Sequence, residues 1–161
     1  CPTSNMMLAS GIAPVRELEV AGCPVGLGVD GSASNDGSNM IQEVRQALYL
    51  QRLKYGAQVS HFDAYRWATE GSAKMLGRSD IGSLVVGKQA DIAFFKLDEM
   101  RFSGSHDPLA ALLLCGAHQA EHVMVAGRWR VKKGLIEGLD VSPLLQHHGA
   151  AAKALAAKIS W

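Results

Sequence analysis

An apolar run at residues 23–29 limits the possible folds of this chain more than any other feature. The run has the length of a buried strand and ends abruptly at Asp30 and Gly31. A polar, glycine-bearing loop follows at residues 32–39, and such loops often carry function when a rigid scaffold holds them. The pattern predicts an α/β fold with Asp30 at the carboxyl end of a strand.

Helical patterns flank this predicted strand. Residues 14–22 suit a short amphipathic helix that ends at a glycine. From Met40 onward, apolar residues recur at helical spacing, with Asn39 as the N-cap and Gly56 as the stop. A further helix is predicted from Ser60, which forms a capping-box-like pair with Asp63, to Gly77.

The pattern changes near Ser79, where we place a boundary between predicted segments 1–79 and 80–138. A predicted C-terminal helical segment follows at 139–161. Beyond this point, short apolar runs predict strands of a small sheet at 82–88, 91–97, 123–125 and 128–131, the last two joined by a hairpin turn. Two helices are predicted where a proline stands near the first turn, at 109–115 and 144–159.

Composition argues against several classes of partner. Lys and Arg number 16 against 15 Asp and Glu, so no basic surplus indicates a nucleic-acid partner. The longest strongly apolar run, residues 109–115, is far shorter than the ~20 residues that cross a bilayer. Three cysteines without C-x-x-C spacing favour neither a disulfide framework nor a cysteine zinc site. A reducing cytoplasm is therefore the expected location.

Two motifs resemble binding signatures without having the required context. Residues 26–31 match the G-x-G-x-x-G of dinucleotide-binding turns, but no helix is predicted directly after Gly31. Residues 118–122 match H-x-x-E-H, which needs a helix but here falls at a helix-to-strand junction. His147 and His148 point about 100° apart on a helix and are expected at the surface. A nucleotide-binding module stays as an alternative.

Asp30 has two possible roles. A carboxylate at the tip of an apolar strand is where α/β enzymes place a catalytic or metal-binding acid. An aspartate next to a glycine also caps turns locally as an Asx residue. Spacing alone favours neither role over the other.

The order of motifs along the chain resembles the amidohydrolase superfamily, in particular its aromatic-ring deaminases. Residues 1–5, 10–15 and 26–36 resemble the end of its (β/α)8 barrel, and residues 69–73, 82–91 and 125–128 resemble the exit from the barrel to a small β-sandwich. The resemblance implies the C-terminal part of such a barrel, followed by strands of the β-sandwich and a C-terminal helix. Because the chain begins at Cys1 without an initiator Met, we expect a C-terminal fragment that is inactive alone.

The resemblance implies metal-dependent hydrolytic deamination of an amino-substituted nitrogen heterocycle. One divalent metal, zinc or iron, would activate water, and Asp30 would bind this metal and act as the catalytic proton shuttle at the end of barrel strand eight. Cys1 and Asn5 would contact the substrate from the end of strand seven. The histidine ligands and the proton-relaying glutamate are expected upstream of Cys1.

The identity of residue 1 suggests a branch of this family. Many members carry asparagine where this chain has Cys1, and a cysteine there is similar to the branch that acts on 8-oxoguanine. Guanine deaminases and s-triazine hydrolases are alternatives within the family, and a non-catalytic barrel relative is an alternative of another class. The expected partners are the heterocyclic substrate, the missing N-terminal part of the protein, and further copies in a homo-oligomer.

Overall fold

The computed structural model describes residues 1–116 and 119–158, which form helices and one small antiparallel sheet. The helices are α1 (Pro2–Met7), α2 (Val15–Val20), α3 (Met40–Tyr55), α4 (His61–Arg66), α5 (Ser72–Met75), α6 (Pro108–Leu114) and α7 (Val141–Ala156). The strands are β1 (Ile92–Phe94), β2 (His122–Val125), β3 (Arg128–Lys132) and β4 (Leu135–Ile136). Short 3-10 turns occupy Gly56–Gln58 and Met100–Phe102.

The long helix α3 has the predicted ends. The side chain of Asn39 accepts a hydrogen bond from the Gln42 amide at 3.2 Å, which satisfies one of the amides left free in the first turn. Gly56 follows the helix with φ of 76°, a left-handed conformation that glycine adopts without steric penalty.

The helix predicted between Ser60 and Gly77 forms in three parts. Its N-terminus has the predicted capping box between Ser60 and Asp63. A π-helical turn at Trp67–Gly71 then separates α4 from α5. Gly71 lies so close to the preceding chain that a Cβ there would overlap the carbonyl oxygen of Val25. This close approach needs glycine, and the irregular turn occurs where the helix meets residues 23–29.

The main core lies between α3, α4 and α6. Leu48 of α3, Trp67 of the π-helical turn and Leu113 of α6 are almost fully buried in one cluster. Because α6 belongs to the segment after Ser79 yet packs on the helices before it, both segments share this core. The division near Ser79 stays a prediction.

The predicted strand at residues 23–29 does not form among the described residues. A strand needs a neighbour with which to exchange backbone hydrogen bonds, and residues 1–79 contain helices and turns but no second strand. Side chains bind part of this backbone instead: the Leu27 amide donates to the Ser72 hydroxyl at 3.2 Å, and the Val29 carbonyl accepts from the Asn35 amide group at 2.8 Å.

The start of the chain also differs from the expectation. The family resemblance places residues 1–5 at a strand end, whereas helix α1 begins at Pro2 with Cys1 as its N-cap residue. Proline favours this start because its missing N–H and fixed φ suit the first position of a helix.

The sheet is antiparallel throughout, with strand order β1-β2-β3-β4. The predicted hairpin is confirmed: Ala126 and Gly127 join β2 to β3 with φ values of 48° and 74°, as a tight hairpin turn requires. The strand predicted at 91–97 is confirmed in shorter form as β1, and β4 was not predicted.

The strand predicted at residues 82–88 is wrong. Gly82 and Gly87 have φ of 86° and 91°, and these left-handed positions bend the chain away from an extended path. The side chains of Leu84, Val85 and Val86 are exposed, so no sheet or core holds this segment among the described residues.

The predicted helix at 109–115 is confirmed as α6. Asp107 caps it by accepting from the amides of Leu109 and Ala110, both at 3.0 Å. The last helix begins earlier than predicted, with Asp140 as N-cap, and the predicted end at Ile159 lies outside the described residues. Across residues 1–116 and 119–158, every helix is too short or too polar to pass through a bilayer.

Candidate functional site

The candidate site centres on Asp30, which α1 and the loop after residue 29 hold in place. Ser4 of α1 is buried, and its hydroxyl donates a 2.7 Å hydrogen bond to Oδ2 of Asp30. The same hydroxyl lies 2.7 Å from the Ser34 hydroxyl on the far side of the loop. The site thus joins residues that are distant in the sequence.

The backbone of Asp30 has the left-handed conformation, with φ of 64°. Aspartate tolerates this region better than most residues, but it is uncommon outside glycine and often marks a functional turn. The Gly31 amide donates to Oδ1 at 2.8 Å. The turn therefore fixes one carboxylate oxygen and Ser4 fixes the other.

The hydrogen bonds around Asp30 favour its charged form. The Ser4 hydroxyl first, and the Gly31 amide second, hold the pKa of this carboxyl below its ordinary value. The side chain is exposed, and each oxygen accepts one hydrogen bond within the described residues, which leaves acceptor capacity on both. Asp30 can therefore accept a proton or donate an oxygen ligand to a cation.

A second layer of contacts lies behind Asp30. Asn35 and Glu43 are both buried, and the Asn35 amide group donates to Oε1 of Glu43 at 2.8 Å. Oε2 of Glu43 accepts from the Thr3 backbone amide at 3.1 Å. This pair links the Asp30 loop, the start of α1 and the first turn of α3.

Cys1 and Asn5, the predicted substrate contacts, lie one helical turn apart and line a common cavity. The cavity has a volume of about 220 Å³ and mainly apolar walls that include Val25, Leu27 and Gln51. Cys1 also faces Gly28, whose added Cβ would lie 3.6 Å from its Sγ. Asp30 is outside the residues that line this cavity, so the structure brings Cys1 and Asn5 together there without Asp30.

The described residues supply one carboxylate toward a metal and no complete metal centre. Within residues 1–116 and 119–158, no group of three His, Cys, Asp or Glu side chains could hold an ion. Of the H-x-x-E-H motif, His118 lies outside the described residues, and His122 accepts a hydrogen bond from the Lys133 amide through Nδ1 at 3.3 Å. His147 and His148 are exposed on α7, as predicted. Among the described residues, Asp30 can therefore offer an ion one carboxylate, but no complete set of ligands surrounds it.

The glycine motif at residues 26–31 packs against a helix and does not open one. A loop extends from Gly31 to Asn39 before α3 begins, so the helix N-terminus that would face a pyrophosphate is absent from this position. A Cβ on Gly26 would lie 2.9 Å from the Cα of Ser72. The nucleotide-binding alternative therefore loses its structural basis.

Sequence reasoning missed three members of the site, namely Ser4, Asn35 and Glu43. A signal for Glu43 was present, because it shares the core-facing side of α3 with Ala47 and Gln51, four and eight residues later. A charged residue in an apolar stripe needs a partner. No comparable periodicity marks Ser4 or Asn35, which lie in a six-residue helix and a loop.

A comparison with protein families decides the relationship of this chain. The model of the amidohydrolase family matches residues 1–139. The chain belongs to the amidohydrolase family. Its sequence is 68% identical over 158 residues to the 8-oxoguanine deaminase of Pseudomonas aeruginosa, covering 98% of this chain and 35% of that protein. It is 37% identical to an isoxanthopterin deaminase of an unknown prokaryotic organism, covering 89% of this chain and 33% of that protein.

Two solved structures share its fold. An adenosine deaminase from Xanthomonas campestris with bound zinc superimposes with a TM-score of 0.90 and 32% identity, covering 98% of this chain and 37% of that one. An atrazine chlorohydrolase from Arthrobacter aurescens TC1 complexed with zinc gives a TM-score of 0.83 and 34% identity, covering 92% and 34%. This amidohydrolase chain thus spans about a third of the length of its relatives.

Proposed function

We propose that the complete protein hydrolytically deaminates an amino-substituted nitrogen heterocycle, with 8-oxoguanine as the preferred substrate. The observation that carries the proposal is the 68% identity, over 98% of this chain, to a protein named 8-oxoguanine deaminase. The left-handed turn that fixes both oxygens of Asp30 supports it, because a general base must be held within reach of its proton.

Asp30 is the proposed proton shuttle. Water adds to the ring carbon that bears the amino group, and Asp30 takes the proton that the water loses. Asp30 then returns this proton to the amino nitrogen as the carbon–nitrogen bond breaks, so that ammonia leaves. The hydroxyl left on the ring carbon becomes a carbonyl when its proton moves to the adjacent ring nitrogen. A pKa below the ordinary value keeps Asp30 ionised and ready to accept the proton at neutral pH.

A divalent metal, with zinc favoured and iron as the alternative, would be held by Asp30 and by histidines outside the described residues. When bound, such a metal lowers the pKa of water and so makes hydroxide available near pH 7. The zinc in both structural neighbours described above supports this choice.

The proposed architecture places residues 1–79 at the end of a (β/α)8 barrel and residues 80–138 in a small β-sandwich. Residues 23–29 lack a strand partner among the described residues, and an apolar cavity lies beside them. Gln51 lines that cavity, and its Oε1 is buried without a hydrogen-bond partner in the described part of the chain. A neighbouring barrel strand would lie beside residues 23–29, pair with their backbone and donate an N–H group to Oε1 of Gln51.

Cys1 and Asn5, the N-cap residue of α1 and a residue of its first turn, are the proposed substrate contacts. Both line the cavity beside residues 23–29. If Cys1 packs only as a small hydrophobe, Cys1→Ala will leave kcat/KM for 8-oxoguanine unchanged.

The experiment uses the complete protein, with ammonia release measured on 8-oxoguanine, guanine and an amino-s-triazine. We expect the highest kcat/KM on 8-oxoguanine. Asp30→Asn keeps the shape of the side chain but removes its basicity, and kcat should fall by far more than about tenfold, which is ~1.4 kcal/mol. The control is Asp36→Asn, at an exposed carboxyl of the neighbouring loop.

The outcomes separate the alternatives. A preference for guanine or for the triazine would move the protein to another branch of the family. Ammonia release from none of the three by the metal-loaded protein would indicate a non-catalytic relative. A loss of less than tenfold in Asp30→Asn would remove Asp30 from the mechanism.

A further inference from the structure

The carboxyl group of Glu43 is fully buried, although glutamate is rarely so. It lies in the first turn of α3, where an acidic residue normally reaches solvent. Each of its oxygens accepts one hydrogen bond, from Asn35 at Oε1 and from the Thr3 amide at Oε2. A buried carboxyl with both oxygens used in this way has a specific structural task.

Asn35 transmits the position of Glu43 to the Asp30 turn. Its amide nitrogen carries two hydrogens, and the two acceptors are Oε1 of Glu43 and the carbonyl of Val29, both at 2.8 Å. Val29 immediately precedes Asp30. In addition, the backbone N–H of Asn35 donates to the Gly31 carbonyl at 3.1 Å. The backbone on both sides of Asp30 is therefore tied to Asn35.

The other oxygen of Glu43 fixes the start of α1. The Thr3 amide belongs to the first helical turn, whose N–H groups have no partner within the helix. Ser4 follows directly, and its hydroxyl holds Oδ2 of Asp30. One carboxyl group thus connects the start of α1 to the loop at Asn35, the two segments that hold Asp30 in place.

We propose that Glu43 is a positioning residue for the deamination: through Asn35 and Thr3 it holds Asp30 at the orientation from which the proton is transferred. This inference rests on the proposed function for its catalytic consequence, but the mechanical link is a property of the chain itself. The hydrogen bonds of Glu43 go to Thr3 and Asn35 and not to Asp30, so it acts through the two segments.

The chemistry of glutamate is specific to this task. Glutamine has nearly the same shape but only one acceptor oxygen, so Glu43→Gln leaves either Asn35 or the Thr3 amide without its acceptor. Asn35→Asp replaces the side-chain donor with a carboxylate. This carboxylate then faces the Glu43 carboxyl and the Val29 carbonyl, so that three acceptors meet without a donor between them. The double variant Asn35→Asp/Glu43→Gln restores a pair, because the introduced amide can donate to the introduced carboxylate and still accept from Thr3.

The test measures two properties of the complete protein in these three variants. Amide hydrogen exchange reports the Asp30 turn directly and needs no activity, and we expect exchange over residues 31–35 to quicken about tenfold in Glu43→Gln. The second property is kcat on 8-oxoguanine, measured well below each melting temperature. It should fall by about tenfold or more while KM changes by less than about threefold, because orientation and not binding is lost.

The double variant supplies the rescue. In this variant the amides of residues 31–35 should exchange more slowly than in Asn35→Asp alone, and kcat on 8-oxoguanine should be about tenfold higher. The hydrogen bond from residue 35 to the Val29 carbonyl is absent in both variants. Glu137→Gln, at an exposed carboxyl that pairs with Lys132 near β4, makes the same chemical change far from the site and should alter neither property.

Each result decides a separate point. Unchanged exchange over residues 31–35 in Glu43→Gln, or a double variant no better than Asn35→Asp, overturns the positioning role. A variant whose melting temperature falls while kcat on folded protein stays constant shows a purely structural role and overturns it too. Absence of deamination by the parent protein refutes the proposed function, whereas the exchange measurements still judge the link between Glu43 and the Asp30 turn.

Discussion

The Ser4 hydroxyl donates to Oδ2 of Asp30 at 2.7 Å across a separation of 26 residues. This bond is the strongest single influence that lowers the pKa of Asp30, and it comes from a side chain that is itself buried. Because hydrogen bonds to charged groups are among the stronger ones, Ser4 both orients the carboxylate and favours its ionised form.

Removal of this hydroxyl should therefore weaken catalysis. In the complete protein, Ser4→Ala leaves Oδ2 of Asp30 without its donor and should lower kcat on 8-oxoguanine by about tenfold or more. Steady-state kinetics on folded protein provide the measurement. Ser10→Ala, at an exposed serine just after the same helix, should retain the parent kcat, and an equal kcat in Ser4→Ala would show that the bond is dispensable.

The two faces of α3 should respond very differently to the same truncation. Leu48 is 0% exposed and Leu53 is 79% exposed. Leu48→Ala leaves a cavity beside Trp67 and should lower the free energy of unfolding by about 2–5 kcal/mol. Leu53→Ala should change it by less than about 0.5 kcal/mol. Denaturant titration of the complete protein measures both, and similar effects would contradict the assignment of the core.

Gly71 should be intolerant of any side chain. Gly71→Ala would drive a Cβ into the Val25 carbonyl, and because this neighbour is backbone, the π-helical turn and residues 23–29 must separate. We expect a lower melting temperature and a loss of deaminase activity.

Gly149→Ala is the matched control for this substitution. Gly149 lies in α7 with nothing within 4 Å of an added Cβ. Alanine is the better helix former by about 1 kcal/mol, so this variant should be as stable as the parent or more so. A tolerated Gly71→Ala would mean that the two segments do not pack as described.

Asp63 should make the stability of the protein depend on acid pH. Burial is the largest single influence on its pKa and acts to raise it, but the donors of Ser60 and the guanidinium groups of Arg16 and Arg66 together lower it. A lowered pKa in the folded state means that the stabilisation is complete above the unfolded value of about 3.9. It is lost as the pH falls through the lower folded value.

The corresponding variant is Asp63→Asn. Its melting temperature should be lower than that of the parent at pH 7, and the gap should narrow as the pH falls below about 4, where the parent loses the ionised carboxyl. Melting curves across pH test this, with Asp36→Asn as the control for loss of one charge at an exposed position. A gap that is constant with pH would show that Asp63 acts by shape alone.

Local signals in the sequence predicted most of the helices correctly. The cap at Asn39, the capping box at Ser60 and the proline at the start of α6 act within one turn of the chain, so their effect does not depend on distant residues. The hairpin at Ala126–Gly127 is local in the same sense. The strand predicted at 23–29 does not form because a strand needs a neighbour, which an apolar run does not specify. The strand predicted at 82–88 does not form because Gly82 and Gly87 are left-handed and bend the chain.

The sequence by itself determined the family of this chain, its local helix and turn signals, and Asp30 as the residue of interest. Only the tertiary structure decided that Ser4 and Gly31 hold this carboxylate and that Asn35 and Glu43 support it from behind. The reason is physical. Caps and turns follow from neighbouring residues, whereas the role of a carboxyl group depends on the donors that folding brings to it from elsewhere in the chain.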